Sequence, residues 1–215
     1  MKILGIEITG AIFDMDGTLL DSMGTWYTVG SDYMRSLGMT PPETLDEDIL
    51  RLTLEDAAKH IQSLGVDKPV HEIHAGINGV MDDFFLNRAE CRPGVIDFLE
   101  KLKAAGVPMC VATATDRTQV ENGLRHAGID GYFGRIFTCT ELNTGKHEPK
   151  VFDAAREFMG SDISSTWVFE DARHAIQTAK KVGYKVLGIF DASEPDQQEI
   201  MDTADVYIKE FTEIL

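Results

Sequence analysis

Acidic and hydroxyl side chains stand at the ends of successive apolar runs in this sequence. The run from Ile8 closes on Asp14-Met15-Asp16-Gly17-Thr18. The run from Val107 closes on Thr113-Ala114-Thr115-Asp116, and that from Thr166 closes on Glu170-Asp171. Lys146 lies just before a helical pattern that begins near Pro149. These types suit phosphoryl transfer. Uncatalysed phosphate-monoester hydrolysis is among the slowest reactions known, and enzymes accelerate it by up to about 10²¹-fold. The reaction needs a nucleophile, neutralisation of charge on phosphorus and a proton for the leaving oxygen. Asp14 can attack as a carboxylate and form an aspartyl phosphate. Asp16, two residues on, can protonate the leaving group and then deprotonate water. Asp14, Glu170 and Asp171 offer the hard oxygen ligands that Mg²⁺ prefers. Lys146 adds positive charge, Thr113 can hydrogen-bond a phosphoryl oxygen, and Gly17 lets the backbone turn close to the phosphate.

These residues act together only if the fold gathers them. Apolar patterning predicts strands over 8–14, 107–112, 135–138, 166–169, 185–190 and 205–208. Helical patterns cover 95–105, 117–127, 149–159 and 172–182. This alternation predicts an α/β, Rossmann-like core with a parallel sheet, in which ligands bind beyond the carboxyl ends of the strands. Between the first two chemical motifs the period is helical throughout. Trp26, Val29, Tyr33, Met34 and Leu37 recur at helical spacing, as do Leu52, Ala57, Ile61 and Leu64, and then Ile73, Ile77, Val80, Phe84 and Phe85. The expected organisation is a core of 1–20 and 92–215 with an all-helical cap of 21–91 inserted after the first strand.

Composition narrows the partners. The chain has 215 residues, and 20 Lys and Arg against 36 Asp and Glu give a formal net charge of −16. Such a surface repels nucleic acid and anionic lipid, so neither is expected as a partner. An acidic protein that binds a phosphate ester must concentrate positive charge locally. Cys91, Cys110 and Cys139 show neither metal spacing nor a disulfide framework. The first apolar run is interrupted by Glu7 and Thr9, and is too broken for a signal peptide and too short for a membrane span. A cytoplasmic protein is expected, and a cap hinged at both ends suits a monomer.

The segment Phe13-Asp14-Met15-Asp16-Gly17-Thr18-Leu19-Leu20-Asp21-Ser22 resembles the first motif of the haloacid dehalogenase superfamily. Thr113 resembles its second motif, Gly145-Lys146-His147-Glu148-Pro149-Lys150 its third and Phe169-Glu170-Asp171 its fourth, all in family order. The resemblance implies that Asp14 is the nucleophile and Asp16 the general acid/base, whose backbone carbonyl also binds metal. It implies phosphate binding by Gly17, Thr113, Ala114 and Lys146, and a Mg²⁺ site completed by Asp171 with Glu170 directly or through water. Dehalogenases proper lack the second aspartate, so Asp16 argues for phosphate chemistry. A helical insertion at this point resembles the phosphoglycolate-phosphatase and β-phosphoglucomutase branch. His147, Ala172 and Ala175 depart from common family residues and bear on loop geometry.

The expected function is therefore a Mg²⁺-dependent phosphatase acting on a small phosphorylated metabolite, such as a sugar phosphate, phosphoglycolate or nucleotide. One alternative is a phosphomutase of the β-phosphoglucomutase kind, although the position where such mutases carry a cap histidine holds Trp26. Another is a non-catalytic module that binds phosphate or metal for regulation. Thr115 and Asp116 are expected to cap the next helix rather than serve the site. His71 and His74 have helical spacing but no third ligand nearby in sequence, which favours a helix-surface pair. Arg51, Lys59, Arg88 and Arg92 are the cap's candidate anion contacts, and Asp46-Glu47-Asp48 reads as an acidic turn or helix start.

Overall fold

The computed structural model describes residues 2, 3, 5–50 and 52–215. A short antiparallel ribbon, β1 (Lys2–Ile3) with β2 (Ile6–Glu7), precedes the main sheet. The run that follows forms β3 (Gly10–Phe13), every residue of which is buried. The other strands are β4 (Met109–Thr113), β5 (Arg135–Thr138), β6 (Thr166–Glu170), β7 (Lys185–Ile189) and β8 (Val206–Ile208). They lie in the order β5-β4-β3-β6-β7-β8, and every adjacent pair is parallel.

All six strands read from the sequence are present, most trimmed by a residue or two. Two strands run one residue further than expected: β4 to Thr113, which pairs with Thr138, and β6 to Glu170, which pairs with Gly188. Strands buried on both faces read as continuous apolar runs, so the sequence signal is strong. Successive side chains go to opposite faces: Ile12 and Val168 join one core cluster, and Phe13 and Phe169 the other.

The ten α-helices of the described residues are α1 (Met23–Ser36), α2 (Leu45–Ile49), α3 (Leu54–Ser63), α4 (Val70–Asn87), α5 (Val95–Ala104), α6 (Arg117–His126), α7 (Cys139–Leu142), α8 (Lys150–Met159), α9 (Arg173–Val182) and α10 (Gln197–Thr203). One sheet face is covered by α8 and α9 through Val151, Phe152, Ala175 and Ile176. On the other face, Phe98 of α5 packs against Phe13 and Phe169, with ring centroids 6.4 and 5.4 Å apart. The sequence reading did not include α7 and α10. The first is a single turn, and the second buries one residue, Ile200, so neither shows a period. The acidic run 46–48 is the first turn of α2, where carboxylates complement the helix dipole.

Helices α1 to α4 lie between two chain segments that cross side by side. Asp21 N donates to Glu90 O and Arg92 N to Leu19 O, at 3.0 and 2.9 Å. The four helices bury Tyr33, Ile61, Ile73, Ile77 and Phe85 among themselves. Helix α4 also meets α6, where a Cβ at Gly123 would come within 2.8 Å of Phe85. Glycine is what permits that approach. Gln119 Nε2 of α6 donates to Asp82 Oδ1 of α4 at 2.9 Å across the same contact.

Candidate active site

The chain builds outward from β3 in one direction to β4 and β5, then crosses back to β6, β7 and β8 on the other side. β3 therefore lies at the topological switch point, where the carboxyl ends of neighbouring strands open a crevice. Asp14 leaves β3 there, its backbone N–H donating to Phe169 O at 3.0 Å. Thr113 ends β4 and Glu170 ends β6. Asp14, Asp16, Thr113, Lys146, Glu170 and Asp171 are all buried.

Asp14, Glu170 and Asp171 each present a carboxylate oxygen within 4.8 Å of the others. Lys146 reaches this cluster from the loop between α7 and α8. Its Nζ lies 2.5 Å from Asp14 Oδ1, out of line for a hydrogen bond, and it hydrogen-bonds Glu170 Oε1. The other Glu170 oxygen accepts from the backbone N–H groups of Asp171 and Ala172 at 3.1 and 3.0 Å. Asp171 Oδ1 accepts from Thr18 Oγ1 at 3.0 Å.

Burial raises the Glu170 carboxyl to about 7 despite the Lys146 ammonium beside it. It raises Asp171 well above the usual carboxylate range, and repulsion from Glu170 and Asp14 adds to the shift. Burial opposes charge on Lys146, but the Asp14 and Glu170 carboxylates outweigh it and hold the ammonium well above its ordinary value. Protonation of the carboxyls is elevated here chiefly because burial disfavours their charged forms, and the excess of negative charge adds to it. A divalent cation fits such a set. Asp14 Oδ1 is buried with the Lys146 ammonium beside it and accepts no hydrogen bond, and a Cβ at Gly17 would lie 2.4 Å from Asp171 Oδ2, so the loop leaves that oxygen clear.

Asp16 sits in a different environment. Its Oδ1 accepts from Ser22 Oγ at 2.6 Å and from Trp26 Nε1 at 3.1 Å, and its Oδ2 accepts from Thr115 Oγ1 at 2.5 Å. Burial, then Asp14, raises its pKa, and these three donors oppose the rise. The expectation that Thr115 and Asp116 cap α6 is corrected: neither side chain caps the helix. Thr115 holds Asp16, and Asp116 accepts from Thr140 Oγ1 at 2.9 Å. Ser22, Trp26 and Thr18 were not among the expected site residues. Their signal is tertiary, because each is recognised by the carboxylate it meets.

Arg92 is no anion contact. Its guanidinium is turned inward and donates to Gly17 O at 2.6 Å, Phe190 O at 2.5 Å and Asp191 Oδ2 at 3.1 Å. It ties the Asp16-Gly17 loop to the end of β7. Lys59 pairs with Glu55 at 2.9 Å on the surface, and Arg88 lies over the Phe84 ring at 5.4 Å. Arg51 lies outside the described residues. His71 and His74 lie on α4 and belong to no ligand cluster found among the described residues.

Above the strand ends lies a cavity of about 640 Å³ between the sheet edge and helices α1 to α4. Asp14, Asp16, Thr113, Ala114 and Asp171 form its floor. Trp26, Tyr27, Leu52, Leu54 and Ile77 form much of its opposite wall.

A family profile described as haloacid dehalogenase-like hydrolase matches residues 11–189, spanning β3 through β7. The chain belongs to the haloacid dehalogenase-like hydrolase family. Among its relatives, the validoxylamine A 7'-phosphate phosphatase of Streptomyces hygroscopicus subsp. limoneus is 27% identical over 212 residues, covering 95% of this chain and 94% of that one. The phosphorylated carbohydrates phosphatase of Thermotoga maritima is 22% identical over 206 residues, covering 95% of each. The crystal structure of a protein described as a putative beta-phosphoglucomutase from Thermotoga maritima matches with a TM-score of 0.86 at 21% identity, over 97% of both chains. That likeness establishes the shared α/β fold of this haloacid dehalogenase-like chain.

Proposed function

We propose that this haloacid dehalogenase-like protein is a Mg²⁺-dependent phosphatase that hydrolyses a small phosphorylated metabolite through an aspartyl-phosphate intermediate. The observation that carries the reading is the pair Asp14 and Asp16 in contrasting settings. Asp14 lies in the carboxylate cluster with its Oδ1 against the Lys146 ammonium, and Asp16 is held by three neutral donors beside the cavity. One carboxyl is placed to attack and the other to carry a proton. The named phosphatases among the relatives support the reaction class.

In this reading an Asp14 oxygen attacks phosphorus and the bond to the leaving alcohol breaks. Asp16 supplies the proton that the alcohol takes. Asp16, now a carboxylate, then accepts a proton from water as that water attacks phosphorus. Inorganic phosphate leaves and Asp14 is restored. Thr113, the Ala114 backbone and Lys146 hold the phosphoryl oxygens, and Gly17 keeps the loop clear of them. Asp14, Asp171 and the Asp16 carbonyl would hold Mg²⁺, with Glu170 one layer out because both its oxygens are already engaged. When bound, the ion supplies charge neutralisation between the attacking carboxylate and the phosphate.

Residues 21–91 act as the cap and 1–20 with 92–215 as the core. The cap excludes water from the strand ends. At the position where a mutase places a histidine, Trp26 donates to Asp16, which favours hydrolysis over transfer to a second hydroxyl. Purified protein with Mg²⁺ should release phosphate from members of a phosphometabolite panel, and Asp14→Asn should reduce release by about 10³-fold or more. Equal rates for the two proteins, or no release from any ester, would end the proposal.

A further inference from the structure

Three of the large apolar side chains that remain exposed converge on the cavity mouth: Tyr27 at 38%, Leu50 at 51% and Leu52 at 43% exposure. Clustered exposed apolar groups at a concave site mark a surface that is covered when ligand binds. Behind them Trp26, Leu54 and Ile77 continue the wall inward, so the side facing the phosphate floor is apolar over most of its depth. The charged groups of this upper region among the described residues are carboxylates. Asp46 of α2, which accepts from Ser31 N at 3.2 Å, and Asp116 before α6 both line the cavity. Among the described residues, the positive charge of the site lies on the floor, where Lys146 is buried between Asp14 and Glu170.

A leaving group that enters this space meets mostly hydrocarbon. A polyhydroxylated sugar would lose water from hydroxyls that an apolar wall cannot satisfy. We propose that the preferred substrate is a phosphomonoester whose alcohol half is an apolar or aromatic group. This rests on the phosphatase reading above and specifies its substrate class. Sugar phosphates and phosphoglycolate, whose alcohol halves are hydrophilic, are thereby placed among the poor substrates.

The test compares phosphate release by the full-length enzyme with Mg²⁺ from phenethyl phosphate, glucose 6-phosphate and phosphoglycolate. All three are esters of unactivated alcohols, so leaving-group reactivity does not dominate the comparison. The activated ester p-nitrophenyl phosphate serves as a general probe of turnover. Phenethyl phosphate should have a kcat/KM about tenfold or more above the other two, chiefly through KM. Leu52→Asn and Leu54→Asn should each shrink its advantage over glucose 6-phosphate by about fivefold to tenfold. If glucose 6-phosphate or phosphoglycolate equals or exceeds phenethyl phosphate while p-nitrophenyl phosphate is turned over, the substrate class is wrong and the phosphatase reading stands. If no ester is turned over, both fall.

Discussion

Trp26 Nε1 donates a hydrogen bond to Asp16 Oδ1 at 3.1 Å, so helix α1 touches the second acid of the β3 loop directly. The same oxygen accepts from Ser22 Oγ, which lies just before that helix. The opposite oxygen accepts from Thr115 Oγ1 beyond β4. The proposed acid/base is thus held by groups from the helical insertion on one side and from the sheet edge on the other. The position of α1 and the state of Asp16 are physically coupled.

Trp26→Phe keeps a ring against Phe85 but removes the indole donor. Donors to a carboxylate favour its charged form, so the variant's Asp16 pKa should rise further above its ordinary value. The limb of the pH–rate profile that reports Asp16 should move to higher pH, and kcat should fall by up to about tenfold. An unaltered profile would show that the indole does not act on Asp16.

Lys146 is a buried ammonium between two buried carboxylates. Lys146→Met leaves Asp14 and Glu170 facing each other uncompensated. Breaking a buried ion pair from one side costs about 3–5 kcal/mol. Urea denaturation of the metal-free protein should register a loss of that order. An unchanged midpoint would mean that Lys146 does not compensate the buried carboxylates.

The carboxylate cluster makes stability depend on pH and metal together. Glu170 and Asp171 have folded pKa values above their ordinary 4.5 and 3.8. The folded state therefore holds protons that the unfolded chain releases first. Without metal, the stabilising contribution of these groups is fully present below those ordinary values and is lost as pH rises through the raised ones. A cation binds the ionised carboxylates and competes with the same protons. Mg²⁺ should raise the melting temperature more at about pH 8 than at about pH 5.5. An equal or larger shift at the lower pH would place the ion elsewhere.

Gly17 adopts φ +71°, and an added Cβ would sit 2.4 Å from Asp171 Oδ2. Gly17→Ala combines left-handed backbone strain of about 1–3 kcal/mol with displacement of a proposed metal ligand. Calorimetric titration should show Mg²⁺ affinity reduced by about tenfold or more. Wild-type affinity in this variant would mean that Asp171 can move aside without consequence.

The chemical groups at the strand ends were legible in the sequence because each follows an apolar run that can only be a buried strand. Asp14, Thr113 and Glu170-Asp171 leave such runs, and parallel pairing then places them at one edge. The helical character of 21–91 was legible for the same kind of reason, since its apolar residues recur with a helical period. The separate environments of Asp14 and Asp16 were not legible. Two residues apart, they look alike in sequence, yet one faces Lys146 and the other Ser22, Trp26 and Thr115. Arg92 looked like a free cation, and only the approach of the β7 end to Gly17 turns it inward. Local pattern determines which elements form and what they carry, because it acts through backbone geometry and burial. Which side chains meet, what charge each one sees and what lines the cavity are decided by the packing of segments far apart in sequence.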